Sequence, residues 1–581
     1  MEYGKELLLV FLLTATAPLL IVSPGLILRR QLSFRARKLH FIWTPVPGLL
    51  GLALLGTLVW LSSRWASPHL ISCIGLWTLV LLVCVHFVCR PVSVFLNETE
   101  RRVLLIVMVL IAIGVAKSIY SIGPAGELYA GTISRTLEVS GRSDSRISYH
   151  IVQLVAARSR PYGYLAAGLR YNFSHGGPLA GLAVSPLVLA GPQRPPAVIP
   201  NHRWAVFDTQ GFTAYRIAMI SMTCSSLLVV FGLSRLFLST QWSLLAFLVT
   251  ATAPFVIHET YFTWPKLLSA SFVLLAVYLT FRSRDLAAGL VLGLAYLFHP
   301  SGLFGFPAMV DIVILTSGKP GGARPASRVQ RIAVSCLRAL YLASGVAFWI
   351  VVWWLVNRHH YAQSGLLPYF LQAGGLTPTP SHWLYSRWVS LSNTIVPLYL
   401  FMFHRFDQAV NSMRGPSPML VQFFFQEWTG VPFGAGIGFF FCLLCLLYLA
   451  FKKARAWLLL LVVLPFFLFV CHWGGDTTGL LREGLHAWFL GLLIFIVVIW
   501  RRYASHFDRF WRFFQIALLM RMIEIPLMLV LPAIWTRHAF VQRKFALSDS
   551  IAFVTMLSGS VWLCVTTLRH TERLRKSYVK N

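Results

Sequence analysis

The fold of this protein follows from the stretch KLLSASFVLLAVYLTFRSRDLAAGLVLGLAYLFH, residues 266–299. It contains two apolar runs, 266–281 and 286–299, separated by a short connection that carries Arg282 and Arg284. Apolar runs of roughly 20 residues are typical of membrane-spanning helices, and arginines gather in the cytoplasmic loops between them. The stretch therefore predicts two antiparallel spans, both short, joined by a basic cytoplasmic turn.

The rest of the chain repeats this pattern. Among its 581 residues, 57% are hydrophobic and 12% are charged, and the mean hydropathy is +0.70. Soluble domains carry about 25% charged residues, so lipid is the solvent that suits this composition. We predict an all-α polytopic membrane protein with about 13–15 transmembrane helices. The candidate spans are residues 7–28, 47–63, 69–89, 103–120, 213–236, 240–257, 266–281, 286–299, 301–316, 333–356, 433–451, 457–471, 484–500, 513–533 and 550–567.

The basic residues predict the orientation. A formal charge of +31 would suit a nucleic-acid binder, but the Lys and Arg residues fall in short clusters between apolar runs, so no nucleic-acid partner is expected. With the N-terminus outside, every basic cluster falls on the cytoplasmic side, and the C-terminus is cytoplasmic too. The clusters lie at 29–38, 90–102, 282–284, 319–331, 452–455, 501–512 and 569–580.

Two long segments, 121–212 and 357–432, then lie outside. Loops of this length are usually functional or carry short helices of their own. The first contains an amphipathic stretch, 147–157, that suits a helix on the membrane surface. The scarce acidic residues, 19 in all, fall mainly on the same outer side. The chemistry of the protein is therefore expected at the outer face.

Ionisable residues gather near the outer ends of the predicted helices. Glu127 and Asp144 follow the fourth span, and His150 comes shortly after them. A carboxylate in such a place can act as a general base. For any one of these residues, an ordinary position in interfacial water is the plainer interpretation. As a set they are candidates for function, because ionisable groups at the ends of spans often mark functional sites.

The next two outer turns add imidazoles and a further carboxylate. His258 and Glu259 occupy the turn between the sixth and seventh spans, with Tyr261 and Lys266 just after them. His299 occupies the following outer turn. Carboxylate and imidazole groups at the same depth can converge on one cavity, where they could hold a divalent metal ion or activate a hydroxyl group.

A fourth outer turn, CHWGGDTTGLLREGLH at 471–486, contains Arg482. A guanidinium group here could hold an anionic phosphate through charge-assisted hydrogen bonds. A solvated turn in which Arg482 pairs with Glu483 accounts for the same residues. Both interpretations remain open on the sequence alone.

Three local segments carry a resemblance to a known family. They are HGGPLAGLAVSPLVLAG at 175–191, YFTWPKLLSAS at 261–271 and GLAYLFHPSGL at 293–303. These segments and the order of spans and loops resemble the GT-C superfamily of membrane glycosyltransferases. That superfamily includes protein O-mannosyltransferases, aminoarabinose transferases and the oligosaccharyltransferase catalytic subunit.

The resemblance implies a division of the chain and an activity. A GT-C-like module of seven helices would include the first outer loop, with additional helices before and after it. The implied parts are N-terminal helices at 1–102, the module at 103–356, the second long outer loop at 357–432 and C-terminal helices at 433–581. The implied activity is inverting transfer of a sugar from a polyprenyl-phosphate-linked donor to a glycan, lipid or protein acceptor. The implied location is the bacterial inner membrane, with the reaction at its outer face.

The resemblance also assigns roles to individual residues. The catalytic carboxylate would be Glu127 or Asp144, and the residues do not decide between them. A divalent metal ion, if one is used, would be held by Glu259, His258 and His299. The remaining candidates would bind substrate; these are Lys266, His150, Arg482 and Tyr261.

Two alternative functions remain open. A transporter or flippase of lipid-linked substrates should place ionisable residues at mid-membrane in discontinuous helices, whereas here the acids gather at outer helix ends. A polysaccharide polymerase or ligase of another membrane fold should carry paired Arg or His in a long late outer loop. The loop 357–432 contains such residues, so this alternative is consistent with the sequence.

Overall fold

The computed structural model describes most of the first 361 residues and a C-terminal helix. The described residues are 2–33, 41–63, 65–89, 96–120, 147–156, 177–191, 197–198, 206–207, 209–253, 256–257, 260, 263, 265–317, 327–361 and 547–579. This part of the chain is almost entirely α-helical. It contains six helical segments that are long and apolar enough to cross a membrane, and several shorter apolar helices. The protein is therefore an integral, polytopic membrane protein of the all-α class.

The helices are numbered in chain order. The first six are α1 (Glu2–Ser33), α2 (Val46–Ser62), α3 (Pro68–Cys89), α4 (Glu98–Tyr120), α5 (Ile147–Ala156) and α6 (Pro178–Leu189). The others are α7 (Thr209–Ser226), α8 (Leu228–Ser234), α9 (Thr240–Ala251), α10 (Lys266–Phe281), α11 (Asp285–Phe298), α12 (Gly305–Thr316), α13 (Arg328–Tyr361) and α14 (Leu547–Val579). Short 3-10 turns form at Phe41–Trp43 and Pro300–Phe304, and Ala197–Val198 pairs antiparallel with Val206–Phe207.

The predicted spans up to residue 356 and the last one coincide with helices. The agreement is closest for 266–281, which is α10, and for 286–299, which is α11 shifted by one residue. The span predicted at 333–356 lies within α13, which continues for several polar residues at each end. The spans predicted at 433–451, 457–471, 484–500 and 513–533, like the second long loop, lie outside the described residues.

Burial separates central helices from peripheral ones. In the segment Ala214–Ser234, which lies in α7 and α8, 94% of the most apolar stretch is buried, whereas in Pro68–His86 of α3 only 17% of that stretch is buried. Helix α10 is buried along almost its whole length. An apolar helix with little buried surface must face lipid, so α3 lies at the periphery while α7 and α10 form the centre of the bundle.

Helices α11 and α13 contact each other closely because glycines remove the side chains between them. A Cβ atom at Gly289 would collide with the backbone carbonyl of Leu342. A Cβ atom at Gly345 would lie 2.5 Å from the backbone nitrogen of Leu290. Gly289 and Gly293 form a G-x-x-x-G pair, the spacing that lets membrane helices approach through their backbones.

The chain reverses between α11 and α12 at His299-Pro300. His299 has an extended backbone (φ −158°, ψ 138°), and Pro300 then starts the 3-10 turn that leads into α12. Proline has no backbone N–H and cannot continue the preceding helix, so α11 ends at Phe298. This break at His299-Pro300 forms the turn between α11 and α12.

The first long loop contains helices that are buried. The interpretation of 147–157 as a surface helix is wrong, since Tyr149, Val152 and Val155 are each at most 3% exposed and α5 packs on α6. Helix α6 is buried on all sides among α2, α3, α5, α7 and α11. A Cβ atom at Gly56 would collide with the carbonyl of Leu182, so α2 and α6 touch backbone to backbone. Helices α5 and α6 of this loop are therefore part of the helix bundle.

Helices α10 and α11 run antiparallel, so together they mark two ends of the bundle. At the His299 end, α10 begins at Lys266 and α11 ends at Phe298. At the Arg338 end, α10 ends at Phe281 and α11 begins at Asp285, next to the first turns of α13. The basic clusters predict that the His299 end is the outer one.

Candidate active site

Ser269 joins α10 and α11 at the His299 end. Its hydroxyl lies 2.8 Å from the backbone oxygen of Ala295 and 3.3 Å from that of His299. The same His299 oxygen also accepts a hydrogen bond from the backbone nitrogen of Gly302, at 3.0 Å. A helix end leaves carbonyl groups without intrahelical partners, and here a serine from the neighbouring helix and the following turn satisfy one of them. The backbone at His299 is thereby fixed.

The imidazole of His299 has a defined orientation. Its Nδ1 accepts a hydrogen bond from the backbone N–H of Ser301 at 3.2 Å and lies 2.8 Å from the Ser301 hydroxyl. A nitrogen that accepts from a backbone N–H carries no proton itself, so the neutral ring carries its proton on Nε2. His299 therefore presents an N–H donor at Nε2. It could bind a metal ion through Nδ1 only if the Ser301 N–H were released.

Lys266 lies beside this histidine. It is the first residue of α10, is 2% exposed, and lies one helical turn before Ser269, whose hydroxyl contacts the backbone oxygen of His299. An ammonium group has three donors, and burial strengthens its attraction for a negative charge. Lys266 and the Nε2–H of His299 together make this end of the bundle suited to an anionic group.

Gly177 brings the first long loop to the same place. It precedes α6, has a positive φ of 80°, and a Cβ atom there would collide with the carbonyl of Phe298. Only glycine adopts this conformation readily and also allows the two backbones to touch. The described parts of the segments 175–191, 261–271 and 293–303, which are far apart in the sequence, therefore approach each other at the His299 end.

Tyr215 connects this region to α5 and α7. Its hydroxyl donates to the backbone oxygen of Thr263 at 3.2 Å, three residues before Lys266. Its ring lies 5.3 Å from that of Tyr149 on α5, measured between centroids. Arg216, the next residue on α7, is 2% exposed. The turn before α10 is thus supported by buried aromatic side chains from two other helices.

The structure places two of the sequence-predicted residues together, Lys266 and His299. His150 lies in α5, although its side chain is outside the described residues. The other candidates lie outside them altogether; these are Glu127, Asp144, His258, Glu259, Tyr261 and Arg482. Among the residues that the structure does describe, no three His, Cys, Asp or Glu side chains form a group that could hold a metal ion. The predicted metal site therefore remains a prediction.

Sequence reasoning missed several residues of this region. Arg216 carried a usable signal, because a charged residue inside a predicted span is a functional candidate. Ser269 and Ser301 carried none, since serine is common near helix ends. The role of Gly177 depends on its positive φ and on a contact with residue 298, and neither can be read from local sequence.

Comparison with known proteins gives matches to solved structures alone. No family model matches the chain, and no curated protein matches it. Two structures of oligosaccharyltransferase from the archaeon Archaeoglobus fulgidus match it. The apo form has 13% identity, a TM-score of 0.35 and coverage of 80% of this chain. The enzyme AglB, in complex with an inhibitory peptide and a dolichol-phosphate, has 14% identity, a TM-score of 0.33 and coverage of 82%. This chain matches 56% of the length of each.

Proposed function

We propose that this protein is a membrane glycosyltransferase that moves a sugar from a polyprenyl-phosphate-linked donor to an acceptor at the predicted outer face. One observation carries the proposal. Lys266, one turn before Ser269, and His299, whose backbone oxygen Ser269 contacts, lie at the same end of α10 and α11, where Gly177 of the first long loop also approaches. A buried ammonium group beside a fixed N–H donor suits a phosphate group, which is the part common to all such donors.

The proposed reaction is a displacement at the anomeric carbon of the sugar. The acceptor oxygen forms a bond to this carbon while the bond from the carbon to the phosphate oxygen breaks, so the configuration inverts. The phosphate leaves with the bonding electrons and gains negative charge. Lys266 and His299 would stabilise that charge, and fixed donors aimed at developing charge are a large source of catalysis. The acceptor proton goes to a carboxylate that acts as the base.

Asp144 is the first candidate for that base. It lies three residues before Ile147, where α5 begins, and a link of three residues spans at most about 10 Å. Helix α5 in turn contacts Tyr215, whose hydroxyl binds the turn before Lys266. Glu127 lies 20 residues before the same helix, so its position is less constrained by the chain. Both are retained, with Asp144 tested first.

The remaining candidates take the roles that the resemblance implied. Glu259 and His258 directly precede the buried Thr260, and they would hold a divalent metal ion if one is required. Tyr261, His150 and Arg482 would contact the donor or the acceptor. The acceptor is a glycan, a lipid or a protein, in the bacterial inner membrane with the N-terminus outside. The rival polymerase or ligase depends on 357–432, which lies outside the described residues.

A transporter fits the described helices less well. Three buried charged residues, Glu100, Lys266 and Asp285, lie within the first three residues of their helices. Transporters place such groups at mid-membrane, where discontinuous helices meet. Arg216 and Asp311 lie deeper within α7 and α12, as a transporter would require. Binding of the lipid-linked donor without transfer of its sugar would therefore favour the transporter.

The test separates binding from transfer. Binding of undecaprenyl phosphate to the purified full chain reports on Lys266, and release of labelled sugar from undecaprenyl-phosphate mannose or undecaprenyl-phosphate aminoarabinose reports on the base. We expect Asp144→Asn to abolish transfer while binding remains. If both Asp144→Asn and Glu127→Gln retain full transfer, the proposed base is wrong. Binding without any transfer in the native protein would favour the transporter.

A further inference from the structure

A cavity of about 920 Å³ lies at the Arg338 end, far from the proposed active site along α11. It is bounded by the first turn of α11, the end of α12 and one face of α13. Four of the five residues that α13 contributes, Arg331, Val334, Arg338 and Tyr341, are spaced three or four apart and form one stripe, and Gln330 lies beside it. The volume is within the range of sites that hold small organic ligands.

The cavity is positively charged. Three arginines, Arg284, Arg331 and Arg338, line it together with one carboxylate, Asp285. The adjoining connection 318–326 contains Lys319 and Arg324 and no acidic residue. The charge of this region therefore favours an anion.

The guanidinium group of Arg338 is fully hydrogen-bonded within the protein. Its Nε and Nη2 bind the two carboxylate oxygens of Asp285 at 2.7 and 3.0 Å. Its Nη1 donates to the hydroxyls of Thr316 and Ser317, and Nη2 also reaches the backbone oxygen of Thr280 at 3.3 Å. All five N–H donors of this guanidinium group have acceptors. Arg338 and Asp285 thus form the wall of the cavity, and Arg284 and Arg331 give it its positive charge.

The same cavity has an apolar side. Leu286, Val334 and Tyr341 line it and are 45–49% exposed. The exposed apolar surface continues along α13 through Leu337 and Leu340. Towards the other end of the bundle, the contact between α11 and α13 at Gly289 closes the space between these helices. A ligand here would meet guanidinium groups on one side and a lipid-facing apolar surface on the other.

We propose that this cavity binds an anionic glycerophospholipid from the leaflet at the Arg338 end, which the basic clusters predict to be the cytoplasmic one. Its phosphate would lie between Arg284 and Arg331, and an acyl chain would follow Leu286 and Val334. Basic pockets between helices on the cytoplasmic side suit anionic headgroups, because charge and apolar surface are satisfied together. A free phosphate has the same anionic chemistry as the headgroup but has no acyl chain to contact the apolar side of the cavity. The inference does not depend on the proposed transferase activity.

Native mass spectrometry of the purified full chain can test this. We expect phosphatidylglycerol to bind more tightly than phosphatidylethanolamine. The double variant Arg284→Gln/Arg331→Gln should bind phosphatidylglycerol about twentyfold more weakly, since each basic residue contributes about fivefold. Arg235→Gln is the matched control. Arg235 is exposed at the same end, where Phe237 packs on Phe281, but it does not line the cavity.

A second measurement guards against misfolding. Phosphatidylglycerol should raise the melting temperature of the wild type and of Arg235→Gln but not that of the double variant. Each protein without lipid is its own reference, because Arg331 also has a contact within the protein. Equal binding of both lipids, or unchanged binding by the double variant, would overturn the proposal. Displacement of the lipid by micromolar inorganic phosphate would also overturn it, in favour of a free-phosphate site.

Discussion

The two ends of helix α11 hold charged groups in opposite ways. At the Arg338 end, the guanidinium group of Arg338 meets the carboxylate of Asp285 and three further oxygen acceptors, all supplied by the protein. At the His299 end, Lys266 is buried beside His299, whose Nε2 is itself a donor. A charge matched by the protein's own opposite charge is expected to hold helices together. Lys266 and His299 also make contacts within the protein, and as two donors at one helix end they are expected to bind a ligand as well.

The largest effect should come from breaking the Asp285–Arg338 pair. The side chain of Asp285 is buried, at 6% exposure, and that of Arg338 is largely covered, at 13%, so Asp285→Ala would leave Arg338 without its counter-charge. Removing one partner of a buried pair costs about 3–5 kcal/mol in the free energy of unfolding. Unfolding by SDS measures it. The double variant Asp285→Leu/Arg338→Met should recover most of the loss; if it is as unstable as Asp285→Ala, the helices are not held by this charge pair.

The second effect should appear in activity and not in stability. Lys266→Met keeps the apolar stem of the side chain and removes the ammonium group. We expect transfer to fall by about a hundredfold or more, about 2.7 kcal/mol, as when one preorganised donor to developing charge is lost. Undecaprenyl phosphate should also bind more weakly. Lys576→Met is the control, because Lys576 is 73% exposed on α14. If the Lys266→Met protein is less stable than the wild type but binds undecaprenyl phosphate and transfers sugar normally, this lysine is structural.

The third effect is a loss of stability at the contact between α11 and α13, which lies between the two ends of α11. A Cβ atom at Gly345 would lie 2.5 Å from the nitrogen of Leu290 and 2.6 Å from the oxygen of Leu286. Both are backbone atoms, so the helices must move apart, and Gly345→Ala should cost about 1–3 kcal/mol in stability. Gly51→Ala is the control, because a Cβ atom there would have open space around it. Equal stability of the two variants would show that the close approach is not needed.

The sequence predicted helices well where hydropathy alone decides them. Helix α10 was predicted at its observed bounds because apolar residues fill it from Leu267 to its end at Phe281. Helix α13 extends beyond its predicted span, since a helix can continue through polar residues outside the lipid core, where hydropathy gives no signal. Helix α6 was missed as a packed element. With 12 residues it is too short to cross a membrane, and its burial depends on helices distant in sequence.

The candidate site was predictable in part for a similar reason. Lys266 and His299 were found because ionisable residues are rare in this chain and both lie at helix ends. Their proximity required the antiparallel arrangement of α10 and α11, which the predicted topology supplies. The approach of Gly177 to Phe298 joins residues about 120 positions apart. No periodic pattern encodes such a contact, so it became visible only with the fold.

The fourth effect separates the two nitrogens of His299. His299→Asn keeps an acceptor near Nδ1 for the Ser301 N–H but has no donor at the position of Nε2. We expect near-normal stability and about tenfold weaker binding of undecaprenyl phosphate, because a hydrogen bond to a charged group contributes about 1.5–3 kcal/mol. His299→Gln should do the reverse, keeping a donor near Nε2 and losing stability. If both variants bind normally, the Nε2–H does not contact the ligand.

The smallest effect should come from an ion pair that resembles the one at the Arg338 end in chemistry but not in environment. Arg102 and Glu98 pair one turn apart on α4, with side chains 44% and 78% exposed. Water screens such a pair, and holding two long side chains costs entropy, so Arg102→Ala should change the free energy of unfolding by at most about 0.5 kcal/mol. High salt should remove even this difference, because it screens exposed charges and leaves buried pairs largely unaffected. A loss as large as that of Asp285→Ala would mean that burial does not distinguish structural pairs in this protein, and the contrast between the ends of α11 would lose its physical basis.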